Sequence, residues 1–176
     1  MFNIVLLEPE KPSNTGNIGR TCLLTDSRLH LIRPFKFQMD DKTLRRTGLD
    51  YWKDVDLHIY NNIKEFFDMN KGAKIYYATT KAGNYYNEIN YKDGDFFMFG
   101  KESKGIDENI LSDNRESCIK IPMITSMKRS LNLANSVNII RTGKLWTETR
   151  RRRTSPTRSP RSRRSIPSRR RRPCPS

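Results

Sequence analysis

Three polar clusters interrupt the apolar stretches of this sequence, and their side chains could grip an anion, orient an oxygen or stabilise developing charge. The first, S-N-T-G-N-I-G-R from Ser13 to Arg20, carries Asn14 and Arg20. The second, G-K-E-S-K-G from Gly100 to Gly105, sets Glu102 and Ser103 between Lys101 and Lys104. The third, S-L-N-L-A-N from Ser130 to Asn135, supplies Ser130 and Asn132. A guanidinium is practically never deprotonated, so Arg20 suits charge stabilisation at an oxygen, or the gripping of a phosphate, better than proton abstraction. Asn14 and Asn132 can orient that guanidinium or a bound oxygen. Glu102 can pair with Arg20, and Ser103 can point into the same pocket. Taken singly, Arg20 reads as an exposed helix arginine and Gly100 to Gly105 as a plain turn.

Other chemistries lack their residues. No G-x-G-x-x-G follows the first apolar run and no phosphate-binding P-loop motif occurs, which argues against an ordinary dinucleotide-binding protein. His30 and His58 lie in strand-like segments without partners at ligand spacing and read as structural, and no metal site is indicated. Cys22, Cys118 and Cys174 are odd in number and far apart, so neither a disulfide framework nor a zinc site is expected. Cys22 reads as a small packed apolar residue.

The clusters are positioned by short apolar runs. Asn3 to Leu7, Leu29 to Arg33, Leu57 to Tyr60, Lys74 to Thr79, Asp95 to Phe99 and Ser117 to Ile121 read as six strands. Between them, helical patterns cover Ser13 to Thr25, Asp40 to Asp50, Ile63 to Met69, a stretch from about Ile106, and Ser130 to Ile140. The Ser/Asn/Thr cluster offers N-cap chemistry to the first helix, whose amino end favours anions such as phosphate. This alternation predicts an α/β fold with a mainly parallel sheet flanked by helices, the polar loops lying at strand ends. The glycines at 100 and 105 predict a loop whose backbone comes close to something. The aromatic pairs Tyr76-Tyr77 and Phe66-Phe67 read as core or subunit contacts.

The formal charge of +15 is concentrated at one end of the 176 residues. From Arg141 onward there are thirteen arginines and one lysine against one glutamate, a net +13, which leaves only +2 for the first 140 residues. Arg, Ser and Pro dominate after Trp146 and no apolar period survives, so residues 147–176 are expected to be a disordered basic tail appended to a domain over 1–146. That tail reads either as a non-specific polyanion-binding arm or as an appended or frame-shifted segment. Within the domain, Lys42, Arg45 and Arg46 form the best basic cluster, and with Tyr51 and Trp52 they could grip an RNA backbone and stack a base; a solvated helix face is the alternative. No apolar run suits a membrane span and the amino end lacks signal-peptide features, so a cytoplasmic protein is expected.

In order along the chain, N-I-V-L-L-E-P-E, N-T-G-N-I-G-R, D-D-K-T-L-R-R-T-G-L-D-Y, D-G-D-F-F-M-F-G-K-E-S-K-G-I, I-K-I-P-M and S-L-N-L-A-N-S resemble the SPOUT class of RNA methyltransferases over about residues 1–140. Within that class they look most like the small bacterial enzymes that methylate the ribose 2'-oxygen of the tRNA wobble nucleotide, cytidine or uridine. The resemblance implies a carboxyl-terminal trefoil knot, a homodimer, and S-adenosylmethionine held without a metal against Ala78, Thr79, Thr80, Gly100, Ile121 and Ser130. It also implies that Asn14, Arg20, Glu102, Ser130 and Asn132 are the polar site positions. A non-catalytic RNA-binding protein on the same scaffold is the alternative. One departure stands out: where the family's last helix should continue, Arg141-Thr142-Gly143-Lys144 follows Ile140, and charge and glycine there predict a weakened helix with reduced stability, dimerisation or cofactor affinity.

Overall fold

Strand β1, Phe2–Leu7, is buried at all six positions, because it lies inside the sheet with a parallel neighbour on each side. A near-continuous apolar run is what such a doubly covered strand requires. The computed structural model describes residues 1–37, 50–124 and 129–154. The remaining strands are β2 (Ser27–Ile32), β3 (Leu57–Tyr60), β4 (Ile75–Ala78), β5 (Asn84–Tyr85), β6 (Phe96–Phe99) and β7 (Cys118–Lys120). They form one seven-stranded sheet in the order β3-β2-β1-β6-β4-β7-β5, and every pairing is parallel. The six apolar runs are therefore strands within a residue or two of their expected bounds. Strand β5 escaped prediction because it is two exposed residues long.

Side chains alternate between two cores, as the pleat demands. Phe2, Ile4 and Leu6 join Leu29, Leu31, Phe97 and Ile119 on one face. There they meet Ile18 and Cys22 of helix α1 (Pro12–Leu24) and Ala134, Val137 and Ile140 near the start of the last helix. Val5, Leu7, Ile32, Tyr60 and Met98 face the other way, against Phe66 of α2 (Ile63–Met69) and Leu111 of α3 (Glu108–Asp113). Tyr76 and Tyr77 go to opposite faces, so both aromatic pairs contribute to the core. Burial pushes the Cys22 thiol up to about 12, which leaves it an inert packing group. The helix expected over Asp40 to Asp50 lies outside the described residues except for Asp50, which opens a single-turn helix, Asp50–Asp54.

Helix α4 spans Leu133–Thr154, so it starts three residues after Ser130 and runs without a break through Arg141. Arg141 is buried, at 4% exposure. Its Nε donates to Ser27 Oγ at 2.5 Å, another guanidinium nitrogen donates to the Thr25 carbonyl, and the group lies 5.0 Å from the centre of the Phe2 ring. A charge read as a liability is thus a tie between α4 and the corner that joins α1 to β2. Gly143 faces Tyr86, whose hydroxyl would lie 3.1 Å from an added Cβ. The helix also continues past Trp146, where the sequence predicts the domain to end, consistent with the high helix propensity of Arg.

One polar chain crosses the second core. Asn3 Nδ2 donates to the Gly94 carbonyl, which leaves Asn3 Oδ1 to accept from His30 Nε2 at 3.0 Å. His30 Nδ1 then accepts from the Tyr60 hydroxyl at 2.9 Å. His30 is therefore a neutral, fully bonded core residue, and burial, followed by the neighbouring His58 and Arg28, lowers its pKa from 6.5 to about 3. The unfolded chain takes up this proton near pH 6.5 whereas the folded chain does not, so stability is complete above 6.5 and lost as pH falls from there toward 3. Chemical denaturation between pH 7 and 5 should show a slope approaching about 1.4 kcal/mol per pH unit. A His30→Gln chain should be less stable but lack this slope, and an unchanged slope in that variant would show that His30 is not its source.

Candidate active site

Because all strands run the same way, the segments after β1, β4, β6 and β7 leave the sheet along one edge, where open α/β sheets bind ligands. Three side chains meet there in a hydrogen-bonded row. Asn132 stands just before α4, and its Oδ1 accepts from the Ala134 and Asn135 backbone N–H groups at 2.9 and 3.4 Å, an N-cap arrangement. That fixes its amide, so Nδ2 donates to Asn14 Oδ1 at 3.0 Å. Asn14 Nδ2 in turn donates to Glu102 Oε1 at 3.0 Å. Asn14 is 5% exposed, and a buried amide needs partners at both ends. Four of the five expected catalytic positions lie in or beside this row: Asn14, Glu102 and Asn132 form it, and Ser130 is exposed two residues before Asn132.

Arg20 is not paired with Glu102, contrary to expectation. Among the described residues the Glu102 carboxylate accepts from the Glu10 and Lys11 backbone N–H groups, at 2.8 and 3.2 Å, and from Asn14. Glu102 therefore sits at the amino end of α1, the place expected to attract phosphate. Helix α1 starts one residue early, at Pro12, with Lys11 in the N-cap position and no side-chain cap from the Ser/Asn/Thr cluster. A carboxylate from a distant loop does that work instead.

Arg20 lies exposed on α1, its guanidinium 5.9 Å from the centre of the Tyr51 ring. The Tyr51 hydroxyl donates to the Gly16 carbonyl at 2.9 Å, and the Trp52 ring lies against Gly19, where an added Cβ would come within 2.4 Å. Tyr51 and Trp52 are thus held against α1, each half-buried. Lys42, Arg45 and Arg46 lie outside the described residues.

The loop after β6 comes closest to itself. A Cβ on Gly100 would lie 2.0 Å from the Gly105 carbonyl carbon and 2.3 Å from the Ile106 nitrogen. Lys101 and Gly105 exchange backbone hydrogen bonds of 3.1 and 2.8 Å, and Gly105 has φ +77°. The two glycines thus permit a pinched turn that presents Glu102. Ser103 does not point into a pocket: its N–H and hydroxyl donate to Glu10, at 2.8 and 2.9 Å. Glu10 was missed as a site residue because E-P-E-K-P reads as a rigid turn; an acid between two prolines was the available signal.

Of the positions expected to hold a cofactor, Ala78 ends β4 and Ile121 follows β7, both half-buried against the first core. Thr79 N donates to the Ile119 carbonyl at 2.9 Å, Thr80 is exposed, and Gly100 is half-buried in the pinched turn. Two large apolar side chains near the ends of the connection between β7 and α4 are left exposed, Ile124 at 76% and Leu131 at 37%. Backbone groups with apolar side chains beside them suit a flat heteroaromatic ring better than a metal.

Replacing Gly100 by Ala should open the turn, costing about 2 kcal/mol or more in denaturant unfolding. Gly83→Ala is the control, since a Cβ there meets nothing within 4 Å and should leave stability unchanged. Equal unfolding midpoints for the two variants would refute the pinched-turn account.

Residues 1–142 match the model of the SpoU rRNA Methylase family. A relative from Listeria monocytogenes serotype 4b (strain F2365) is 50% identical over 141 residues, covering 78% of this chain and 83% of its own. The Escherichia coli (strain K12) protein named tRNA (cytidine(34)-2'-O)-methyltransferase is 42% identical over 141 residues, covering 80% of this chain and 89% of its own. Among solved structures, one described as "Structural insights into the 2-OH methylation of C/U34 on tRNA" superimposes with a TM-score of 0.77 at 36% identity, covering 85% of this chain and 97% of that one. The row Glu102–Asn14–Asn132, the pinched turn and Arg20 all fall inside the matched span, and the chain belongs to the SpoU rRNA Methylase family.

Proposed function

We propose that the chain is a tRNA 2'-O-ribose methyltransferase acting on the wobble nucleotide of the anticodon, with S-adenosylmethionine as methyl donor. The observation that carries this reading is the hydrogen-bonded row Glu102–Asn14–Asn132, which ties the turn after β6 and the residue capping α4 to the first turn of α1, the helix that bears Arg20, at the carboxyl edge of the sheet. The 42% identity to the Escherichia coli enzyme supports the choice of substrate.

When bound, S-adenosylmethionine supplies a methyl group already electrophilic on its sulfonium. The protein's task is then to present a ribose oxygen in line and to offset the charge that grows on it. Arg20, a permanent cation backed by Tyr51, stabilises that oxygen and holds the adjacent phosphate. Glu102, Asn14 and Asn132 fix the amino end of α1, and hence the direction from which Arg20 approaches. Ser130, exposed two residues before Asn132, would contact the ribose. Ala78, Thr79, Gly100 and Ile121 would hold the donor, largely through backbone groups.

Lys42, Arg45 and Arg46 grip the RNA backbone in this reading. In this reading the domain carries the carboxyl-terminal trefoil knot of its class, the enzyme works as a homodimer in the cytoplasm, and residues 147–176 are a basic appendage to a methyltransferase domain over 1–146. No helix among the described residues is long and apolar enough to cross a membrane.

The test is transfer of labelled methyl from S-adenosylmethionine to tRNA, with the product nucleotide located by digestion and mass measurement. Label should appear at the wobble ribose. Arg20→Ala should lower kcat by about 10²-fold to 10³-fold, the scale of losing one charge-stabilising group. Label elsewhere, or full activity in that variant, would refute the assignment.

A further inference from the structure

Glu10 touches none of the five residues given catalytic roles above through its side chain, yet it fastens the turn that bears one of them. Its carboxylate accepts from the Ser103 N–H at 2.8 Å, from the Ser103 hydroxyl at 2.9 Å, and from the Lys36 ammonium. In return, the Glu10 backbone N–H donates to Glu102 Oε2 at 2.8 Å. The two turns therefore clasp each other: the turn after β1 gives a carboxylate to Ser103, and the turn after β6 gives a carboxylate to Glu10 and Lys11. Glu8 adds a second tie, its carboxylate 2.8 Å from Lys101 Nζ. Its backbone is left-handed at φ 48°, a conformation that a side chain with a Cβ adopts at a cost and that swings Pro9 and Glu10 over the neighbouring turn.

We propose that Glu10 is a positioning residue for methyl transfer. Through Ser103 it sets the turn that presents Glu102 to Asn14, and through Lys36 it ties this turn to the segment leading toward residues 38–49. The inference rests on the function proposed above, because Glu102 and Asn14 matter to rate only if that reaction occurs.

Position is the relevant quantity here. Glu102 reaches Asn14 and Asn132 only in a row of consecutive contacts near 3.0 Å, so a shift of its turn is passed along the whole row. A displacement of about 1 Å in such a supporting group can cost on the order of 100-fold in rate. The Glu10 side chain is largely covered, at 10% exposure, while its partners Lys36 and Ser103 are exposed and can be met by water when the clasp is broken, which limits the cost to global stability. Charge at this position is constant in use: Lys36, then Ser103, holds the carboxyl down to about 2. A glutamine of the same shape has one acceptor where the two Ser103 donors and Lys36 require two.

The experiment compares the full chain with Glu10→Gln, Ser103→Ala and the double variant. Expected for Glu10→Gln is a fall in kcat of about tenfold or more, with the melting temperature moved by no more than about 4 °C. Ser103→Ala should lower kcat less, and the double variant should match Glu10→Gln, because both changes break one clasp. Nitrogen-15 NMR supplies a readout independent of turnover. The side-chain amide resonances of Asn14 and Asn132, neither of which is hydrogen-bonded to Glu10, should shift in Glu10→Gln.

Activity within twofold of the parent, single losses that multiply in the double variant, or unmoved Asn14 and Asn132 resonances would each overturn the proposal. A large fall in melting temperature with unchanged kcat per folded molecule would reduce Glu10 to a structural role and overturn it as well. If the parent chain transfers no methyl to tRNA, the wobble-ribose assignment fails, and the NMR arm alone then decides whether Glu10 sets the row.

Discussion

Helix α1 cannot stabilise its own ends. It has no acidic residue in its first turn, no basic residue in its last, and no side-chain cap at its amino end. Its interior carries two glycines, each costing about 1 kcal/mol relative to alanine. Both deficits are met from elsewhere in the chain. Glu102 brings a negative charge to the amino end, and Arg141 brings a positive one to the Thr25 carbonyl at the carboxyl end. Each has the sign that the helix dipole favours. The turn after β6 and helix α4 are thus fixed relative to α1 by the same electrostatic requirement, and the site is assembled on the helix they hold.

This arrangement decides what the site can do with an anion. A bare helix amino terminus would attract phosphate, but here the protein's own carboxylate already occupies it. Phosphate must instead be met by side chains, and Arg20 is well placed because Glu102 is engaged by Glu10, Lys11 and Asn14 rather than by the guanidinium. An internal Glu102–Arg20 ion pair would have neutralised that guanidinium. Directing Glu102 to backbone N–H groups leaves Arg20 cationic toward solvent, steadied by the Tyr51 ring.

The sequence made the strands legible because a parallel sheet covered on both faces demands unbroken apolar runs, and Phe2–Leu7 and Phe96–Phe99 supply them with no exposed position. The polar positions were legible as residue types at strand ends. Their partners were not. Glu10 and Ser103 are 93 positions apart, and Asn14 and Asn132 are 118 apart, so nothing local distinguishes an acid that clamps a loop from one in a rigid turn. Arg141 misled for a related reason: among arginines and lysines a charge reads as solvated, and only the fold shows that Ser27 and Thr25 face it. The contacts of Tyr51 and Trp52 with Gly16 and Gly19 were not legible because those glycines become a packing surface only once α1 has formed.

Arg141 also bears on where the working part of the chain ends. It is the last buried side chain described in α4, and the family match stops one residue later, at 142. On its amino side, Ala134, Val137 and Ile140 lie in the core and set the axis of the helix, while Asn132 caps it and reaches Asn14. Between Asn132 and Arg141 the helix is anchored at both ends, to the amino end of α1 through Asn14 and to its carboxyl end through Thr25. Two anchors about 14 Å apart, at 1.5 Å per residue, fix both the position and the tilt of one helix against the other. Both anchors lie within the family match, which ends at 142, so the row on which the site is built is tied to the part of α4 that the family shares.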